Sequence, residues 1–160
     1  IRDNIDEIVT VPDEDLVVSF LDIVENHKMI VENSGLLTVA ALRHLDVKNK
    51  RIVSILSGGN MDIITMSSVV QQGLIFRDRI FTVSVLLPDK PGELTKVSEV
   101  IASLHGNVIK LEHNQFVSIN RNAAVELRIT LETFGTEHKN QIIKALEEKG
   151  YQPKQVRANI

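Results

Sequence analysis

The sequence predicts two halves of different fold class: α/β over residues 1–75 and α+β over residues 80–160, joined by a short linker at 76–79. Three observations carry this. In the first half, short apolar runs alternate with segments of helical period, which implies a parallel sheet. In the second half the elements come in the order βαββαβ, which implies a ferredoxin-like sandwich of four antiparallel strands backed by two helices. Between the halves, Arg77-Asp78-Arg79 forms a charged junction.

In the first half, Glu7 to Val11 reads as a short strand. Pro12 and the acids Asp13, Glu14 and Asp15 open a helix running to about Lys28, the acids favouring the positive end of its dipole. Its apolar positions Leu16, Val17, Phe20, Leu21, Ile23 and Val24 follow helical spacing. Ser34-Gly35 breaks the pattern, and a second helix is expected from Leu36 to Leu45. The apolar run 51–56 reads as a buried strand that opens into Ser57-Gly58-Gly59-Asn60, with Met61 to Gln72 as the following helix. Two strands are few for a parallel sheet, which needs more members and covered faces. The chain begins at Ile1 rather than Met, so the rest of the sheet is expected in sequence upstream.

The second half reads more completely. Ile80 to Leu87 alternates Phe81, Val83, Val85 and Leu87 against Thr82 and Ser84. Pro91-Gly92 precedes a helix from Glu93 to His105 with a stripe of Leu94, Val97, Val100, Ile101 and Leu104. Asn107 to Asn114 is a strand with Ile109 and Leu111 on one face, and Ala124 to Glu132 alternates Val125, Leu127, Ile129 and Leu131 against polar residues. A helix from Thr136 to Lys149 stops at Gly150, and Tyr151 to Val156 supplies an edge strand where Pro153 is tolerated.

Composition narrows the function classes. The net charge of −3 divides as 8 Lys/Arg against 12 Asp/Glu in residues 1–79, and 10 against 9 beyond, so neither half carries the basic face that nucleic acid requires. Stacking aromatics for RNA are missing from the strand 124–132. With no cysteine there is no disulfide framework, thiolate metal site or Cys nucleophile, which fits a reducing cytoplasm. The five histidines lack ligand spacing, so no metal site is expected. No apolar run reaches the roughly 18 residues of a membrane span, and no signal peptide is apparent.

Two motifs remain as candidate sites. Ser57-Gly58-Gly59-Asn60 places small side chains and free backbone N–H groups at the carboxyl end of a strand, the usual ligand position in open α/β sheets. Asp89-Lys90-Pro91-Gly92-Glu93-Leu94 leads into a helix whose first N–H groups, at Glu93 and Leu94, would attract a carboxylate. A capped surface turn accounts for the same residues equally well.

The second motif, followed by Gly106-Asn107-Val108-Ile109 and Glu112-His113, resembles an ACT domain, the amino-acid-sensing module of metabolic enzymes. Upstream, Glu32-Asn33-Ser34-Gly35, Ala40-Ala41-Leu42 and the run from Val53 to Asp62 resemble the end of the catalytic domain of threonine dehydratase (threonine ammonia-lyase), a fold-type-II enzyme using pyridoxal phosphate (PLP). The resemblance covers essentially the whole chain. It implies that residues 1–75 are the C-terminal remnant of a PLP-dependent catalytic domain and residues 80–160 a single ACT domain.

The resemblance assigns Ser57 to the serine that hydrogen-bonds the pyridine nitrogen of PLP, Gly58 and Gly59 to the backbone passing the ring edge, and Glu32 to an acid near the cofactor. It implies an effector site bounded by Asp89, Gly92, Glu93, Leu94 and Asn107, for isoleucine or another aliphatic amino acid, and pairing of ACT domains into a homodimer or larger assembly. Some ACT domains only dimerise, and that reading stays open. The family's Schiff-base lysine motif and glycine-rich phosphate cradle do not occur in residues 1–160. The chain is therefore expected to hold no catalytic residue, to bind no PLP covalently and to be inactive alone, while its parent converts L-threonine to 2-oxobutanoate and ammonia. A stand-alone amino-acid-binding or dimerisation module without a catalytic parent is the alternative.

Overall fold

The computed structural model describes residues 4–114 and 124–158. The chain divides into two compact units, Ile1–Phe76 and Arg77–Ile160.

The first unit is helical among its described residues. Helix α1 spans Asp13–His27 behind Pro12, with its three acids in the first turn and Lys28 closing it in the left-handed conformation at φ 58°. A 3-10 turn at Asn33–Leu36, the short helix α2 at Leu37–Ala40 and a second 3-10 turn at Ala41–Arg43 follow. Helix α3 spans Ile63–Phe76. Asp62 caps it, accepting hydrogen bonds from the backbone N–H and the hydroxyl of Thr65, and these bonds hold its carboxyl below the usual carboxylate range. Leu16, Val17, Phe20 and Ile23 of α1 form one core with Val31, Leu36, Ala40 and Val69.

Three expectations for this half are corrected. Neither 7–11 nor 51–56 is a strand, so no sheet exists here among the described residues and the α/β class is not realised within the unit. A strand needs a neighbour to take its N–H and C=O groups. The run 51–56 has none; Val53 is 90% and Ile55 73% exposed, while Leu56 alone of its apolar side chains packs against the core. The expected helix 36–45 is instead broken into short α and 3-10 pieces, and the helix expected from Met61 begins at Ile63 and runs on to Phe76.

The second unit shows the six expected elements in order: β1 (Ile80–Pro88), α4 (Glu93–Ser103), β2 (Asn107–Asn114), β3 (Ala124–Glu132), α5 (Thr136–Glu148) and β4 (Lys154–Val156). They build a four-stranded sheet of order β2-β3-β1-β4 with every pairing antiparallel. Period-two alternation puts Phe81, Val83, Val85 and Leu87 opposite Leu131, Ile129, Leu127 and Val125, four consecutive apolar cross-strand pairs. On them rest Val97 and Ile101 of α4 and Ile142 and Leu146 of α5. Each such side chain contributes about 1.5–3 kcal/mol by leaving water.

The opposite face of the sheet is polar. Thr82 and Thr130 share a hydrogen bond of 2.9 Å, and Ser84 donates to Glu126 at 2.6 Å. In β2 a bulge between Val108 and Lys110 changes the expected alternation. Val108 and Leu111, which pair with Leu131 and Ile129, share the helix-side face, and Ile109 is the inserted residue. Asp78, in the expected linker, is tied to this unit by Lys139 at 2.8 Å and by the Thr136 hydroxyl at 2.8 Å. The ring of His138, also buried, accepts the Phe134 N–H at Nδ1, so Nε2 carries the hydrogen and donates to the Leu104 carbonyl at 2.6 Å.

Candidate functional site

In the first unit the four residues singled out from the sequence are drawn together. The backbone N–H of Glu32 donates to the Gly58 carbonyl at 3.2 Å, and its Oε1 accepts the Ser34 hydroxyl at 2.5 Å. Gly58 sits at φ +77°, and the space its Cβ would need is filled by the Glu32 carboxylate, 2.4 Å from that point. Gly35 is pressed against the next residue of the turn: a Cβ there would fall 1.7 Å from the Ser57 carbonyl oxygen. Thr38 donates to the Ile55 carbonyl at 3.0 Å, and the Gly59 backbone passes close to the Ile30 carbonyl. The stretch 32–38 thus clamps 55–59 without a sheet. Ser57 is exposed, and its hydroxyl makes no hydrogen bond among the described residues.

In the second unit Asp89, Gly92, Glu93 and Leu94 line one cleft of about 320 Å³ at the β1–α4 turn, together with Pro91 and His113. Gly92 holds φ +90° at the helix N-cap. One of the two amides expected to be open is partly used, since Glu93 N–H reaches the Lys90 carbonyl at 3.4 Å. Glu93 pairs through Oε1 with Lys96 at 2.7 Å, which raises the lysine above its ordinary range.

Asn107 does not join this group within one chain. It stands opposite Glu132, to which its amide donates at 3.1 Å, while Glu132 also pairs with Ile80 at the start of β1. The cleft lies beyond Pro88 at the far end, roughly 26 Å away along the strand. Because β2 runs parallel to β1 with β3 between them, its last residues, not its first, reach the cleft, and His113 takes the place expected for Asn107. The signal was present in the Glu112-His113 pair, six positions past Asn107 in the same strand.

No family model matches the chain. It is 35% identical over 153 residues to an L-threonine ammonia-lyase of Geobacter sulfurreducens, covering 94% of this chain and 38% of that protein. A second L-threonine ammonia-lyase, from Thermotoga maritima, is 30% identical over 153 residues, covering 95% and 38% respectively. The chain is a homologue of the L-threonine ammonia-lyases.

It spans less than two-fifths of the length of these curated relatives. The biosynthetic L-threonine dehydratase IlvA of Pasteurella multocida is 29% identical over 153 residues, covering 92% of this chain and 28% of that one. Homology to the ammonia-lyases therefore runs through both units, the clamped turn and the β1–α4 cleft included. Among solved structures, a prephenate dehydratase from Streptococcus mutans aligns with 48% of this chain and 40% of its own at 19% identity, with a TM-score of 0.41. Among the described residues no group of His, Cys, Asp and Glu could hold a metal ion, and no helix is long and apolar enough to cross a membrane.

Proposed function

We propose that the chain is the C-terminal regulatory part of a cytoplasmic, PLP-dependent threonine dehydratase that converts L-threonine to 2-oxobutanoate and ammonia. The first unit is the end of the catalytic domain, and the second is a ferredoxin-like ACT domain that senses an aliphatic amino acid, isoleucine foremost, and pairs subunits. The observation that carries this reading is the homology itself, because it joins both candidate motifs in one alignment with ammonia-lyases.

The donor set of the first unit fits one side of the cofactor. Ser57 offers an exposed hydroxyl for the pyridine nitrogen, and Gly58 and Gly59 are exposed beside it. A neutral hydroxyl does not force that nitrogen to be protonated, so Ser57 sets a mild electron sink, which suits elimination of the β-hydroxyl. Glu32, held by Ser34 and lying on Gly58, fixes the turn from behind. Bound there, PLP would supply the electron sink for the reaction, while its lysine and phosphate cradle come from elsewhere in the parent. The exposed run Ile52, Val53 and Ile55 is in this reading a strand of the parent's sheet.

The second unit supports pairing through β2. This strand is an edge of the sheet, and Val108, Ile109 and Leu111 are between 39% and 47% exposed. Antiparallel pairing of β2 with β2 of a second copy would bring that copy's Asn107 beside His113, at the mouth of the β1–α4 cleft. The site incomplete in one chain would then be completed across the seam. Effector binding there would act by favouring one arrangement of the pair over another. Calorimetric titration of the 160-residue chain with aliphatic amino acids tests this: saturable heat is expected, with the component from the β1–α4 cleft lost in Asn107→Ala. Absence of heat with all twenty amino acids would overturn the sensor role.

A further inference from the structure

A second, larger cleft of about 570 Å³ opens on the other side of the α4 N-terminus, between that helix and the chain leaving α5. Its size is that of a small-molecule site. Pro88, Leu86 and Val100 give it apolar walls, while Glu93, Lys149 and Tyr151 bring polar groups to the same space.

The polar groups are incompletely matched to one another. Glu93 is mostly buried, with its side chain 15% exposed, and its Oε1 is taken by Lys96. Among the described residues its Oε2 has only the Tyr151 hydroxyl, at 3.5 Å, the outer limit of a hydrogen bond. Such a gap accommodates a donor seated between the two oxygens. Lys149 takes part in no ion pair among the described residues, so its ammonium lines the cleft with no carboxylate within ion-pair distance. Burial, and secondarily the charge of Glu93, raise the Tyr151 phenol, which keeps it neutral and able to accept or donate.

We propose that this cleft is a binding site for a small zwitterion with an apolar body, its ammonium bridging Glu93 Oε2 and Tyr151 Oη and its carboxylate meeting Lys149. The apolar body would lie against Pro88 and Val100. This site is separate from the β1–α4 turn and does not depend on pairing of β2. Pro88 and Glu93 are the two residues common to both clefts.

The test uses a property of the sequence. The chain holds one tyrosine and no tryptophan, and Tyr151 lines this cleft, so its emission reports on it, with Asn107→Ala as the control for the β1–α4 turn. Titration of the whole chain with L-leucine and L-phenylalanine should change that emission saturably. L-Leucinamide, without the carboxylate, and 4-methylpentanoate, without the ammonium, should each bind at least tenfold more weakly than L-leucine. Lys149→Glu should weaken the L-leucine emission titration at least tenfold, and Ser103→Trp, placed in the lining of this cleft, should remove the heat that Asn107→Ala retains. Asn107→Ala should leave the emission change intact. An unchanged emission in every titration overturns the proposal, as does equal binding by L-leucine and 4-methylpentanoate. Heat without an emission change, lost in Asn107→Ala, would place the amino acid at the β1–α4 turn only.

Discussion

The Glu32 carboxylate lies across Gly58, 2.4 Å from where a Cβ would stand, while the Glu32 backbone N–H donates to the Gly58 carbonyl. The turn after the expected strand therefore owes its shape to the segment 32–35, not to a sheet. Two glycine substitutions separate the consequences. At Gly58 the obstacle is the end of a flexible side chain, which can swing away, leaving mainly the left-handed backbone cost of about 1–2 kcal/mol. At Gly35 it is the Ser57 carbonyl at 1.7 Å, so the main chain itself must shift. Gly35→Ala should cost at least about 3 kcal/mol in urea denaturation, more than Gly58→Ala. Equal costs would contradict the clamp.

Glu126 provides a pH dependence whose sign follows from its partners. The Ser84 hydroxyl first, and Arg128 second, hold its carboxyl below the ordinary value of 4.5. A depressed pKa contributes stability that is present above the unfolded value and lost as pH falls through the folded one. Acid unfolding below about pH 4.5 should therefore shift toward higher pH in Ser84→Ala. At pH 7 the same variant should lose about 1.5–3 kcal/mol, the worth of a hydrogen bond to a charged group. Thermal unfolding against pH measures both, and coincident curves for the two proteins would contradict the role of Ser84.

Tyr151 titrates alone in the ultraviolet, since the chain has no other tyrosine. Its midpoint should lie above the ordinary value of about 10, because burial disfavours the phenolate and Glu93 repels it. Glu93→Gln should bring the midpoint part of the way back, since burial, the larger cause, remains. Full return to the ordinary value would show that charge, not burial, dominates.

Pairing through β2 predicts that Leu111→Lys weakens self-association at least tenfold in sedimentation velocity while leaving the far-ultraviolet spectrum unchanged. Leu111 is 41% exposed on an edge strand, so the charge is tolerated in a single chain but not at a seam. A monomeric parent chain, or an unaffected variant, would contradict the seam.

The second unit was legible because its strands carry their own partners: Phe81 to Leu87 and Val125 to Leu131 alternate cleanly and pair with each other. The first unit was not, since 51–56 has the composition of a strand but no neighbour to pair with, and pairing is a property of two segments. Within the first site, Ser57 to Gly59 stood out as a Gly-rich turn while Glu32 entered only through the family resemblance, and the fold puts Glu32 against Gly58. Asn107 was misplaced because the sequence gives β2 a direction only once the sheet order is known. The bulge at Ile109, which moves Val108 to the helix-side face, left no mark in the apolar pattern.

The central claim, that an amino-acid site is completed by Asn107 of a second copy, is tested most directly by complementation. In a Ser103→Trp background, which closes the second cleft, Asn107→Ala and Asp89→Ala chains should each bind an aliphatic amino acid at least tenfold more weakly than the Ser103→Trp parent in calorimetry. Mixed in equal amounts, they should regain one parent-like site per mixed dimer, since one chain supplies an intact turn and the other an intact asparagine. If both variants bind weakly and mixing restores nothing, or if Asn107→Ala binds as the parent does, the site does not span two chains.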